Sequence, residues 1–351
     1  MTKKKKILID LLKLNNLYVG LGQVSLHFGK AIAAIAPIVK DEFEFTFLVP
    51  KNFVGYFGND INYQTSNFFK RHFSFLNSKF DVWHSVHQDS AFIPSSKTKY
   101  VLTIHDLNFL YEKNKSKSDK KLHQLQQKIN KADAIFSISN FTKKEIENHL
   151  SLNGKKIETI YNGVESVLEK PSTKPVWHSS EKKYLLALGN CTAKKNFHVL
   201  IPMMKLLPEF DLIIAGNNST SYGNEMKKTI SEFELKNVHL VGSVSEEEKN
   251  YLLQNCSAFV FPSLFEGFGL PVIEAMSCGK PVFVSKCTSL PEIAADKGFY
   301  FESFDAATMK NLIQSSLQTQ SENNSDELKL HAAKFSWSKN ADEYCNIYKK
   351  L

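Results

Sequence analysis

No stretch of this 351-residue sequence carries 18 or more apolar residues in a row, so no membrane-spanning helix is predicted. Cysteine is scarce: Cys191, Cys256, Cys278, Cys287 and Cys345, with no C-x-x-C spacing. An odd count without paired spacing argues against a disulfide framework and against a zinc site, and fits a reducing cytoplasm. No His/Asp cluster has metal-ligand spacing. No G-x-G-x-x-G follows the first predicted strand, which argues against a dinucleotide-dependent dehydrogenase. There are no internal repeats. The basic start, Lys3 to Lys6, is followed by only Ile7 to Leu12, which already contains Asp10. That is too short for a leader's apolar region, so it reads as a strand after a solvated tail.

What is present suits a folded protein of two domains. Hydrophobic residues make up 42% and charged residues 23%, and the length suggests two compact units. The net charge of +8 is uneven. Residues 1–170 hold 25 Lys and Arg against 16 Asp and Glu, an excess of 9, so the whole surplus lies in the first half. Lys113 to Lys131 contains seven lysines. Such a run is either a solvated helix face or a surface for an anionic lipid or substrate. Peripheral membrane contact through this basic half is one expectation, and no nucleic-acid partner is expected.

Short apolar runs alternate with helical patterns in both halves. Strands are predicted near Lys6–Leu11, Phe43–Val49, Val82–Ser85, Val101–Ile104, Ala134–Ile138 and Ile157–Tyr161, and again near Tyr184–Leu188, Asp211–Ala215, Val238–Val241, Ala258–Phe261 and Pro281–Val284. The alternation predicts an α/β fold, with parallel sheets covered by helices on both faces. Between the halves, Glu169 to Lys183 carries Pro171 and Pro175 among polar residues and reads as a linker. The predicted domains are 1–168 and 184–336, with a closing helix at about 337–351. In doubly wound sheets, ligands sit beyond the carboxyl ends of the strands.

The most informative stretch is Ser263 to Gly279. A strand feeds a loop with Gly267 and Gly269, and Pro271 suits the first turn of a helix closed by Gly279. A glycine loop at a helix N-terminus offers backbone N–H groups to a phosphate. Glu266 and Glu274 flank it, and carboxylates accept hydrogen bonds from vicinal hydroxyls. A sugar nucleotide has hydroxyls at both ends and a diphosphate between them.

At this point the chain resembles a known family. Glu266 and Glu274 match the E-x7-E motif of retaining glycosyltransferases of family four. The match extends through Gly267, Phe268, Gly269, Leu270 and Pro271, then Gly279-Lys280-Pro281-Val282. The resemblance implies the GT-B fold, two Rossmann-like domains facing across a cleft that closes about the linker. It implies that Glu266 binds the donor sugar and Glu274 the ribose, while backbone amides near the loop hold the phosphates. Lys195, in Gly189-Asn190-Cys191-Thr192-Ala193-Lys194-Lys195, matches the diphosphate-binding Lys. Asn190 stands where many members have Arg, with Lys194 as its substitute. His105 matches a His after an N-domain strand that contacts donor sugar or acceptor. Gly20 and Gly22 match a glycine loop near the phosphates or acceptor. His84 and His87 border another strand end near the acceptor.

The implied function is transfer of a hexose with retention, without a metal or other cofactor. The best-matching donor is GDP-mannose, with UDP-sugars as the alternative. The implied acceptor is a saccharide or lipid-linked saccharide of surface polysaccharide synthesis, handled in the cytoplasm or at the inner membrane face. A sugar-nucleotide epimerase and a non-catalytic assembly partner are the competing classes.

Overall fold

The computed structural model describes residues 3–66, 79–112, 114–319 and 322–351. Lys113, the first lysine of the basic run, lies outside them. The chain forms two compact units. One holds residues up to Gly163 together with Ser336–Leu351, and the other holds Val164–Phe335.

In the first unit the described strands are β1 (Lys5–Asp10), β2 (Phe43–Val49), β3 (Asn62–Thr65), β4 (Val82–Ser85), β5 (Lys99–Ile104), β6 (Ala134–Ser137) and β7 (Ile157–Thr159). They pair in parallel in the order β3-β2-β1-β4-β5-β6-β7. The order reverses direction between β1 and β4, where Ile9 lies opposite His84. Phe45, Phe47, Leu8, Trp83 and Leu102 fill the core. Runs such as Ile7-Leu8-Ile9 are apolar on both faces because helices cover both sides of the sheet.

The helix Trp337–Lys350 belongs to this unit. Tyr344 and Tyr348 are buried on it. The Tyr348 hydroxyl lies 2.6 Å from His84 Nδ1, and the Tyr344 hydroxyl 2.7 Å from Thr103 Oγ1. Thr103 in turn lies 2.9 Å from His84 Nε2. Lys5 Nζ donates to the last carbonyls of the helix, Tyr348 O and Lys349 O, where a cation favours the helix dipole. His84 is therefore a satisfied core residue beneath this helix, and burial holds it neutral, with its pKa near 3. That corrects its reading as an acceptor contact.

The second unit contains β8 (Lys183–Leu188), β9 (Phe210–Ala215), β10 (Val238–Gly242), β11 (Ala258–Phe261), β12 (Val282–Ser285) and β13 (Phe299–Phe301). Their parallel order is β10-β9-β8-β11-β12-β13, with the reversal between β8 and β11. The expected linker is folded onto this unit. Thr173 N–H donates to Glu247 O, Asn250 Nδ2 to Pro171 O, and His178 is buried edge-on to Tyr184. After Lys195 the chain runs through short helical pieces, Phe197–Val199, Leu200–Met203 and Met204–Leu206. Pro202 has no N–H to offer an intrahelical bond there.

Candidate functional site

The reversal point of the second sheet is where the loops after β8 and β11 diverge, so a ligand is expected there. After β8 the chain turns through the short helix Ala193–Lys195, ended by Asn196 at φ 57°. Asn190 Oδ1 accepts from Asn217 N–H, and Thr220 Oγ1 donates to Cys191 O, which ties this loop to the one after β9. The Asn190 side chain thus secures backbone. After β11, Leu264 N–H donates to Lys194 O at 2.7 Å, and Ser263 Oγ lies 3.1 Å from the same carbonyl.

This stitching brings Lys195 and Glu266 together. Lys195 Nζ lies 2.6 Å from Glu266 Oε1, and each side chain is only 14% exposed. Ser263 Oγ donates to the same oxygen at 2.6 Å. Glu266 Oε2 has no hydrogen-bond partner among the described residues. Lys195 Nζ also sits 4.6 Å from the Phe261 ring centroid, a cation–π contact.

The glycine loop is held from behind by hydroxyls. Glu266 N–H donates to Thr288 Oγ1, Ser289 Oγ donates to the carbonyls of Glu266 and Phe268, and Ser285 Oγ to that of Ser263. The Phe268 side chain is buried edge-on to Phe335, so only its backbone faces the loop interior. Gly269 caps the helix Leu270–Ser277 at φ 109°, and a Cβ there would come within 2.8 Å of Leu290 Cδ2. Pro271 lies in the first turn, and the helix ends with Lys280 N–H on Ala275 O and Gly279 N–H on Met276 O. Among the described residues the Gly269 and Leu270 N–H groups have no backbone acceptor, so this end offers donors beside a dipole of positive sign.

Glu274, one turn further along that helix, is not free-standing. Lys249 Nζ lies 3.2 Å from Glu274 Oε1 and 2.8 Å from Glu246 Oε1. Lys249 belongs to the helix Glu246–Asn255, and the sequence reading did not single it out. Its signal was there: it shares a helical stripe with Leu252 and Leu253, where an apolar residue is the default. Together these groups supply a cation and N–H donors for an anion, with carboxylates for hydroxyls on either side. Among the described residues, no group of three or more His, Cys, Asp or Glu is placed to hold a metal ion.

Gly20, Gly22 and His105 belong to the first unit. The helix begins at Gly20, so both glycines form its first turn rather than the loop the resemblance implied. Gly22 is required there, since a Cβ would lie 1.9 Å from Asn16 O, whereas Gly20 faces open space. His105 follows β5 and is buried. Its Nε2–H donates to Val86 O at 2.8 Å, and its backbone N–H to Gln88 Oε1 at 2.9 Å. Burial lowers its pKa to about 4, partly opposed by the Val86 bond, so it stays neutral at pH 7.

Near His105, at the carboxyl ends of β1 and β4, lies a cavity of about 420 Å³. Asp10, Lys13, Asn16, His87, Asp89 and Ser90 are among its lining residues. Leu12 N–H and Ser90 Oγ donate to the two oxygens of Asp10, whose pKa burial raises. His87 Nδ1 accepts from Asp89 N–H, which places its proton on Nε2. Lys128, from the basic run, turns inward to donate to Gln88 O and Ser90 O, so one of those lysines is a brace beneath the cavity. Lys115, Lys117, Lys120 and Lys131 are exposed. Among the described residues, no helix is long and apolar enough to cross a membrane.

Two family models match consecutive parts of the chain, "Glycosyltransferase Family 4" over residues 32–167 and "Glycosyl transferases group 1" over residues 169–334. The chain is 28% identical over 286 residues to O-antigen chain mannosyltransferase B of Escherichia coli, covering 76% of this chain and 74% of that protein. It is 27% identical over 281 residues to the serotype-specific mannosyltransferase WbdA of the same organism, but spans about a third (34%) of that protein's length. Among solved structures, Anabaena Alr3699/HepE in complex with UDP and glucose superposes with a TM-score of 0.75 at 16% identity, over 99% of this chain and 100% of that one. The fold is GT-B.

Proposed function

Belonging to the glycosyltransferases that these two family models describe, this chain, we propose, moves a hexose from a nucleotide sugar with retention of anomeric configuration. The observation that carries the reading is the cluster of Lys195, Ser263 and Glu266 beside the glycine loop. Lys195 is set against the Glu266 carboxylate, and in this reading it meets the leaving diphosphate. As the C1–O bond to phosphate breaks, negative charge grows on the departing oxygen, and a fixed cation with free N–H groups stabilises it. The acceptor hydroxyl forms the new C1–O bond on the same face, and its proton passes to the departing phosphate oxygen. Glu266 Oε2 accepts from donor-sugar hydroxyls and Glu274 from the ribose. In the first unit, taken by itself, the polar cavity lined by Asp10 and His87 takes the acceptor.

The favoured donor is GDP-mannose, because the relatives named above are mannosyltransferases; UDP-sugars are the alternative. The favoured acceptor is a saccharide or lipid-linked saccharide of surface polysaccharide synthesis, met at the inner membrane face through the exposed lysines. The reaction needs no metal in this reading. The test incubates the purified protein with GDP-mannose, UDP-glucose and related donors plus bacterial membrane extract, and follows nucleoside diphosphate release and product anomer. Acceptor-dependent GDP release, an α-linked product and unchanged rate in EDTA support the reading. An altered free sugar nucleotide formed without acceptor would identify an epimerase instead. Tight donor binding with no release from any donor would overturn the transferase reading.

A further inference from the structure

We infer that Lys249 is a positioning residue that fixes how this chain grips the ribose of its nucleotide, a step that rests on the donor-site reading above. The helix Glu246–Asn255 opens with a complete capping box: Ser245 Oγ accepts from Glu248 N–H, and the Glu248 carboxylate accepts from Ser245 N–H. Its N-terminus therefore needs no help from Lys249. The lysine instead lies along the inward stripe, with its side chain 17% exposed. A lysine in that position is costly unless paired. It has two carboxylate partners. Glu246 is 44% exposed, so that pair is worth little. Glu274 is 18% exposed and holds the buried side of the charge.

The pairing has a consequence for Glu274. Its Oε1 is fixed by Lys249, while Oε2 has no hydrogen-bond partner among the described residues. An ionised carboxylate only accepts, so it suits two vicinal hydroxyls; a protonated one spends an oxygen as a donor. Lys249 balances the Glu274 charge and holds the carboxylate in one rotamer. The ligand chemistry selected is a ribose with both hydroxyls present, over a deoxyribose. Lys249 touches neither the sugar nor the phosphates in this scheme and acts through Glu274.

Calorimetric titration with UDP and GDP, each beside its 2′-deoxy and 3′-deoxy form, tests the idea on the full chain. The native protein should prefer the ribonucleotides, and K249M should reduce that preference about tenfold, the worth of one hydrogen bond to a charged group. K249R, which keeps the cation, should restore the preference. Should K249M fail to fold by circular dichroism, K249Q keeps a polar head of similar reach. Equal weakening of ribo- and deoxyribonucleotides would mean a merely structural lysine and would overturn the inference. A native protein with no ribose preference would instead sink the Glu274 assignment itself.

Discussion

Lys195→Met should leave the Glu266 carboxylate mostly buried with Ser263 as its remaining hydrogen-bond donor. At 2.6 Å and an effective dielectric of about 20, the raw attraction in the pair is about 6 kcal/mol. Most of that offsets the desolvation of the two ions, so the pair as a whole adds little to stability. Removing one partner is different, because the other charge stays buried; the loss should be about 3–5 kcal/mol. At about 2–4 °C per kcal/mol for a domain of 150–250 residues, the second unit should melt roughly 6–20 °C lower. The double variant K195M/E266Q leaves no charge, and Gln still accepts from Ser263. It should recover most of the lost stability, with a coupling of about 2–3 kcal/mol. Scanning calorimetry of the native, single and double forms closes the cycle. Activity should behave oppositely: each single variant should lose about 10³-fold in kcat/KM, and the double should recover none of it. Additive stability losses would refute the buried-pair argument, and a double variant that regains activity would refute the catalytic one.

Two further outcomes follow from the geometry. Gly269→Ala places a side chain at φ 109° against Leu290, and should cost about 1–3 kcal/mol and raise the donor KM more than it lowers kcat; unchanged steady-state kinetics would show that the loop does not depend on this turn. His84, His87 and His105 all have pKa values lowered by burial below the usual 6.5. The unfolded chain therefore binds their protons first, and the stability they contribute is present above pH 6.5 and lost as pH falls towards about 4 and 3. Each costs about 1.4 kcal/mol per pH unit in that window. Asp10, raised by burial, has the opposite sign and favours the folded state towards acid, so it offsets part of that fall. Urea titrations monitored on the first unit at pH 7 and pH 5 check this, and equal midpoints would count against it.

Most of the sheet core was legible because parallel strands covered on both faces are written as plain apolar runs, such as Tyr184–Leu188 and Phe259–Phe261. The edge strands β3 and β13 were not, because Asn62-Tyr63-Gln64-Thr65 carries no such run and Phe299–Phe301 is only three residues. Gly20 and Gly22 read as a loop because glycine is a poor helix former, while the chain uses Gly22 in a helical first turn to pass close to Asn16. In the site, motif spacing pointed to Glu266, Lys195 and Glu274. It could not reveal that Ser263 and Lys194 stitch two loops 69 residues apart in the chain, or that Lys249 comes from a third element. Such partners are set by tertiary approach, and no periodicity encodes them.

The order of synthesis follows from where the closing helix lies. Tyr344 and Tyr348 complete the cover over His84 and Thr103, yet they leave the ribosome after every strand of the second unit. A nascent chain can thus finish its second unit while the first still exposes a polar core lacking its partners. The contacts between Lys5 and the carbonyls of Tyr348 and Lys349 span 343 and 344 residues, among the longest loops this chain must close. Closing such loops late is entropically slow. The unit that begins first is therefore the one that becomes native last, and it is this half that a cell's chaperones would have to shelter.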